Sequence, residues 1–379
     1  MKTNIISVII LIISIQNAIA QNKTWSDANV GASKDVLYLP DGNAVYWRYG
    51  WQREVNDRDG FVITGQFPET RYFSYNVYDD VSKSSVGSIA DVNVKPDNQN
   101  NYTIYIVPEG TVINKKNVLY FDKSLQNVSV ILRYYLPKDN IFGNKPLPTI
   151  SYYDVKNKIS KTAAQSLDVP SSPSNSGLSE EEICKELVAK TFYFNKKDSV
   201  LHSFNLNSGG TYPNNDNHYL TMPMIKSNKD DVCIVKFKAP SYPKSEKGYA
   251  NSDVRYFSLG QGDEITHNLY TIADFQFITN PDGFIYLLIA DGNNEALINK
   301  AKSLKMNFMP WLVNEKMLLV YRNMLPNPNF KYGANSVNNI DKTKPLPNQY
   351  GDEFIGNYAP IGYFFNKDVL LNSITIPNF

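Results

Sequence analysis

The chain has 379 residues, with 38 basic against 37 acidic side chains and a net charge of +1. So even a balance offers no electrostatic footprint for nucleic acid and no basic patch for an anionic membrane. At this length, with 42% hydrophobic residues, a large core can be buried and two domains are expected.

Residues 1–20 read as a signal peptide. Lys2 supplies the positive start, residues 5–13 form an apolar run interrupted only by Ser7, and Ala18-Ile19-Ala20 ends it with small residues two apart. The run is too short and wrongly flanked for a good membrane anchor, and no later segment is long and apolar enough to span a bilayer. Secretion is expected, and removal of Lys2 makes the two signs of charge equal.

A first repeat is expected over residues 36–155. It opens at PDGNAVYW (40–47), continues through DGFVI (59–63), RYFS (71–74), IAD (89–91) and YTIYIVPEG (102–110), and closes on VILRYYLP (130–137). Within 128–135, Val128, Val130, Leu132 and Tyr134 point one way while Ser129, Ile131, Arg133 and Tyr135 point the other. Period two in β-branched and aromatic residues predicts a strand. Asn101 and Asn127 each open a sequon just before a predicted strand, and Asn22 opens a third; in a eukaryotic source all three are surface glycan sites.

Residues 156–210 are expected to form a linker with one short helix. Residues 166–177 are rich in Ser and Pro and read as exposed. Ser179 with Glu182 makes a capping box, and Ile183, Leu187 and Val188 lie on one face of the helix that follows.

Residues 211–330 then restate the first repeat in the same order: PNNDNHYL (213–220), DDVCI (230–234), RYFS (255–258), IAD (272–274), FIYLLIADG (284–292) and LVYRNMLP (319–326). Preserved order marks a duplication. The turn TNPDG (279–283) predicts a hairpin between 275–277 and 284–289. Asn294 is placed to cap a second helix with Leu297, Ala301 and Leu304 on one face. The tail, 331–379, carries few strand signals until 355–365. It is expected to pack back over the domains, because Tyr358, Tyr363, Phe364 and Phe365 are costly to leave exposed. Short strands punctuated by turns give a mainly β fold, with two tandem related β-sandwich domains, jelly-roll-like, and a few short helices.

Two stretches carry a family resemblance. DGNAVYW (41–47) followed by GQFPETRYFSYNVYD (65–79) resembles the "DGNATYW" and "GRFPHARYMSFNLYD" segments of a family of secreted proteins without a known activity. In the second half RYFS, the NPDGF turn, NFMPWL (307–312), YRNMLPNPNF (321–330) and IGNYAPIGYF (355–364) resemble the same family, the last being similar to its closing "GxYxPRGxYC". Here Ile361 stands where Arg is usual, Phe364 where Tyr is usual and Phe365 where Cys is usual, so no role of that Arg or Cys carries over. More distantly the chain is similar to β-sandwich domains of bacterial envelope proteins. The resemblance implies fold and export and names no substrate.

Polar residues kept in both copies are assigned first to the fold. Arg71, Asp91, Asn117 and Arg133 are matched by Arg255, Asp274, Asn307 and Arg322. A buried Arg persists only when paired, so an Arg–Asp network is expected in each repeat. In an oxidising compartment Cys184 and Cys233 are expected to form one disulfide.

Candidates for function are then the residues that differ between copies. The nearest catalytic constellation is Ser258, Asp263 and His267, although no nucleophile elbow accompanies it. A zinc site would require His202, His218 and His267 to converge from separate segments, and no metal is expected. The oxygen-rich runs at 56–60 and 291–295 suit calcium by composition, yet neither completes an EF-hand loop, and no cofactor is expected. Adjacent acids such as Asp263 and Glu264 also invite a glycosidase reading. With 26 Tyr, the chain suits sugar stacking, for which Trp51, with Tyr49, Trp47 and Trp311, is the candidate. Trp51, His218 and Glu264 are the expected ligand-binding residues. The leading expectation is a secreted or envelope-associated binding protein for a small molecule or glycan. The alternative is a secreted hydrolase with its site in the cleft between the repeats.

Overall fold

The structure is a computed structural model that describes residues 25–53, 59–157, 159–162, 178–192, 194, 200–205, 212–226, 228, 230–337 and 350–377. The signal peptide, the Asn22 sequon and the Ser/Pro-rich 166–177 lie outside them. The chain is mainly β and divides into two compact units. The first comprises Met1–Val30, Ala44–Gly177 and Thr211–Asn215; the second comprises Gly31–Asn43, Leu178–Gly210 and Asp216–Phe379.

Unit 1 is a sandwich of two sheets. Its strands are β1 (Asn29–Val30), β2 (Ala44–Gln52), β3 (Gly60–Gln66), β4 (Thr70–Asp79), β5 (Ser84–Ala90), β6 (Asn101–Pro108), β7 (Val118–Phe121), β8 (Asn127–Pro137), β9 (Thr149–Asp154) and β10 (Ile159–Thr162). One sheet has the order β1-β2-β8-β4-β5 and the other β10-β9-β3-β6-β7. The alternation in β8 works as its sequence requires. Val128, Val130, Leu132 and Tyr134 enter the core between the sheets, where they meet Trp47, Phe61, Ile104 and Ile150. Ser129 and Arg133 face the opposite way and are also buried.

Unit 2 repeats the plan with β11 (Val200–His202), β12 (Asn217–Ile225), β13 (Asp231–Lys238), β14 (Tyr256–Gly262), β15 (Asn268–Ala273), β16 (Phe284–Ala290), β17 (Asn307–Pro310), β18 (Lys316–Met324) and β19 (Ile361–Asn366). The orders are β12-β18-β14-β15 and β11-β19-β13-β16-β17. Apart from β1, which has no counterpart, the strand orders match those of unit 1. The tail therefore does more than pack over the domain: β19 enters the second sheet between β11 and β13, in the place that β9 holds in unit 1. Helices α1 (Glu180–Thr191), α2 (Glu295–Ser303), α3 (Gly351–Ile355) and α4 (Lys367–Asn372) complete the unit. Leu297 and Ala301 of α2 and Leu370 of α4 pack on Ile234 and Leu288, covering the outer face of the second sheet.

Local expectations fare unevenly. The Ser179–Glu182 capping box forms, and the Asn294 side chain accepts the Leu297 N–H at 3.2 Å to start α2. The buried face of α1 is nevertheless turned by one residue from the expected one. Cys184 and Val188, one turn apart, go in, and Ile183 and Leu187 stay 37% and 48% exposed. The turn at 279–283 closes through Gly283 N–H to Asn280 O (2.8 Å), but only its second arm is a strand. The first arm winds into a short 3₁₀ turn, Asp274–Gln276, because the Gln276 side chain accepts the Ala273 N–H at 2.8 Å. Cys184 and Cys233 are buried and no disulfide joins them. Cys233 lies in the sandwich core with Sγ 3.9 Å from Met224 Sδ, and burial pushes its thiol up to about 12.

One duplicated residue shows why both copies keep it. The last strand of each second sheet is parallel to its neighbour, β7 on β6 and β17 on β16. Asn307 opens β17, donates to Ile278 O (2.9 Å) and Tyr286 O (3.1 Å), and accepts the Ile278 N–H (2.8 Å). Asn117 does the same before β7, with Lys95 O (3.0 Å), Thr103 O (3.1 Å) and the Lys95 N–H (2.8 Å). Such a side chain supplies backbone partners that the sheet itself cannot.

Truncating Asn307 to Ala leaves these three backbone groups without that partner, and unit 2 is expected to lose about 3 kcal/mol; urea unfolding of the variant checks this. A thiol held near 12 carries almost no thiolate at pH 8, so Ellman's reagent is expected to miss Cys233 in the native protein and to reach it only after unfolding.

Candidate functional site

Two places collect functional side chains: a sealed polar network repeated in each unit, and an open groove in unit 2. The network lies on the face of the first sheet turned away from the core. In unit 2, β14 alternation puts Tyr256, Ser258 and Gly260 on that face, and β18 adds Arg322. The segment Gly31–Asn43 runs across them. Asp41 accepts from Ser258 Oγ at 2.6 Å and from the Tyr256 hydroxyl at 2.8 Å. Arg322 donates from Nη2 to Leu39 O at 2.6 Å, and its Nη1 stands 3.9 Å from Asp41 Oδ2. A Cβ on residue 260 would sit 2.7 Å from Arg322 Nη1, so glycine is what lets the guanidinium cross the strand. Burial, and next the charge of Asp41, raises the Tyr256 phenol far above its usual range.

Unit 1 carries the counterpart. Arg133 donates to Tyr212 O at 2.9 Å, Tyr72 to Asn214 Oδ1 at 3.1 Å, and Tyr78 to Pro213 O at 2.6 Å. Asp80 accepts from Ser129 Oγ at 2.6 Å and forms an ion pair with Arg48. Leu39-Pro40-Asp41 and Tyr212-Pro213-Asn214 thus play one role, each just ahead of the first long strand of a repeat. The matching Pro40 and Pro213 are the signal in the sequence for it. Of the other shared polar residues, Asp274 accepts the Phe257 N–H at 3.3 Å, the Asp91 N–H donates to Phe73 O at 2.9 Å, and the Arg255 guanidinium lies 3.6 Å over the Tyr249 ring. Arg71 is half-buried on β4.

The structure does not bring the catalytic constellation together. Ser258 is fully buried and committed to Asp41. His267 Nδ1 lies 2.8 Å from Asp263 Oδ2, and that carboxylate also accepts the His267 and Ile265 N–H groups, which closes the β14–β15 turn. Four residues of extended strand, about 13 Å, separate Ser258 from Gly262 at the start of that turn. Glu264 lies at the surface within 3.8 Å of Lys185 and 3.6 Å of Lys316.

Trp51 is only 5% exposed and packs against Phe61 with ring centroids 4.2 Å apart; it belongs to the core. Its strand simply turns that side inward. His218 is half-buried on β12, and burial lowers its pKa. His202 sits apart, 3.0 Å from Asp352 and stacked on Tyr350. Among the described residues no three His, Cys, Asp or Glu side chains gather to hold a metal. Asp291 and Asn294 spend their oxygens on the Asn293 and Leu297 N–H groups. Most of the run at 56–60 lies outside the described residues. Asn101 and Asn127 are half-buried at the first positions of β6 and β8, and Asn101 donates to Asp97 at 3.2 Å. No described helix is long and apolar enough to cross a membrane.

The groove, about 350 Å³, forms where the loop after β18 meets the 3₁₀ turn Glu246–Asn251 and the tail. Asn327 ties these loops, donating from its side chain to Ala250 O (3.0 Å) and from its backbone to Asp253 O (2.8 Å). Asp253 in turn accepts the Ser241 N–H at 2.8 Å. Tyr332 and Tyr358 stack with centroids 5.2 Å apart at 15°, and buried Phe330 stands edge-on behind Tyr358. Tyr332 is 38% exposed. Asn251 and Asn329 bring exposed amides to the lining, and Lys331 brings an ammonium group. The arrangement offers an aromatic surface beside hydrogen-bonding groups, suited to a ligand rich in oxygen. Nothing in sequence spacing places Tyr358 beside Tyr332, since the tail returns only after the fold closes.

No family model and no curated protein matches the chain. Among solved structures, an uncharacterised protein from Burkholderia cenocepacia is similar with a TM-score of 0.57, at 7% identity, over 92% of this chain and 83% of that one. A protein from Vibrio parahaemolyticus has a TM-score of 0.44 at 10% identity, over 86% of this chain and 90% of that one. The first likeness shows the fold alone.

The lowered pKa of His218 sets a pH dependence. The unfolded chain takes up the proton near the ordinary value of 6.5 while the folded chain resists it. This contribution to stability is therefore full above 6.5 and is lost as pH falls from there through the folded pKa. Replacing His218 by Gln is expected to flatten the denaturation midpoint between pH 7 and 5, measured by urea titration at each pH.

Proposed function

We propose that the chain is an exported or envelope-associated binding protein that holds a carbohydrate in the Tyr332–Tyr358 groove. The observation that carries this reading is the groove itself: a partly exposed tyrosine pair bordered by the amides of Asn251 and Asn329. A pyranose presents polarised C–H groups on its faces and hydroxyls at its edge. The C–H groups suit the electron-rich face of an aromatic ring, and the hydroxyls suit amides. The signal-like residues 1–20 and the resemblance to a secreted family support export. Binding is favoured over hydrolysis because Ser258, the nucleophile of the hydrolase alternative, is sealed against Asp41 and is not joined to His267.

A glycan array with the full chain is expected to give signals without turnover of the bound sugar. Tyr332→Ala is expected to weaken those signals at least tenfold while leaving the melting temperature within about 2 °C, as for an exposed side chain. A blank array, or equal binding by the variant, would sink the proposal.

A further inference from the structure

We infer that the groove selects an anionic saccharide, whose carboxylate or sulfate is met by Lys331 and Lys238. This rests on the carbohydrate reading above and adds the charge of the ligand. The Lys331 Nζ lies 5.1 Å from the Tyr332 ring centroid, and the Lys238 Nζ lies 5.3 Å from that of Tyr358. Each tyrosine of the stacked pair thus carries its own ammonium group, from opposite parts of the sequence: β13 and the loop after β18. Cation–π attraction keeps both charges at the aromatic surface and not out in solvent. The acid in the lining is Asp253, and one of its oxygens already accepts the Ser241 N–H. Lys331 lines the groove, whereas Lys238 stands outside the lining and borders it through the Tyr358 ring; together they set two cations at the tyrosine pair against the single carboxylate of the lining.

A neutral sugar uses only the ring and the amides. An acidic one also replaces the weak cation–π contacts with charge-assisted hydrogen bonds, which are shorter and stronger. Both lysines are exposed, so screening holds the gain to about tenfold for the pair. The same exposure makes the gain sensitive to salt.

The test is calorimetry on the full chain with three galactose-based oligomers: a neutral galacto-oligosaccharide, an oligogalacturonate and a sulfated galactan oligomer. The expected result is about tenfold tighter binding of one or both anionic oligomers than of the neutral one. That preference is expected to vanish in Lys238→Gln/Lys331→Gln and to shrink between 50 and 300 mM NaCl. The carboxylate and sulfate arms tell which anion is recognised. Equal binding of all three, or a preference that survives the double variant, overturns the inference and leaves the carbohydrate reading standing. If none of the three binds and the glycan array is also blank, both fail. Both lysines being surface residues, an unchanged melting temperature shows that the variant is folded.

Discussion

The buried guanidinium of Arg322 is the constraint on which much else depends. A cation taken out of water must be matched by acceptors, and leaving it unmatched costs several kcal/mol. Leu39 and Asp41, residues that precede the first long strand of the other repeat, supply a carbonyl and a carboxylate to it. Arg133 has the reciprocal arrangement with Tyr212. The duplication is therefore not two self-sufficient copies in a row. Each compact unit includes a short peptide that belongs, in sequence order, to the other copy. Gly260, Ser258 and Tyr256 are then fixed together, since each is shaped to the peptide crossing them.

Several polar residues shared between copies serve the fold. Asn117 and Asn307 each join three backbone groups beside a parallel strand pair, and Arg133 and Arg322 hold the exchanged segments. None of these touches the groove. The groove is assembled from the Pro/Asn-rich loop after β18, the 3₁₀ turn before β14 and the returning tail. Ligand recognition, on this reading, was added to one copy of a duplicated scaffold.

Much of the fold was legible because it depends on neighbours in sequence. Period-two alternation in β8, the Ser179 box and the Asn294 cap are local signals with local causes. The features that could not be read depend on side-chain contacts that the pattern of residue types does not fix. Trp51 looks like a stacking residue by type, but its burial is decided by Phe61 across the sandwich. The first arm of the 279–283 turn is apolar enough for a strand, yet Gln276 and Asn307 bend it into a 3₁₀ turn. The cysteine pair follows from compartment alone in the sequence, whereas the core position of Cys233 depends on the register of β13. The groove was least legible of all, because Tyr332 and Tyr358 meet only after β19 has entered its sheet.

That late entry of β19 bears on how the chain comes into being. Synthesis runs from the N-terminus, and unit 1 can close once residues 211–215 have emerged to cover Arg133. Unit 2 finds its Leu39–Asp41 segment already made, but β11 and β13 lack the strand that joins them until residues 361–366 arrive. Through that interval β11 and β13 present open edges, the kind of surface that recruits wrong partners.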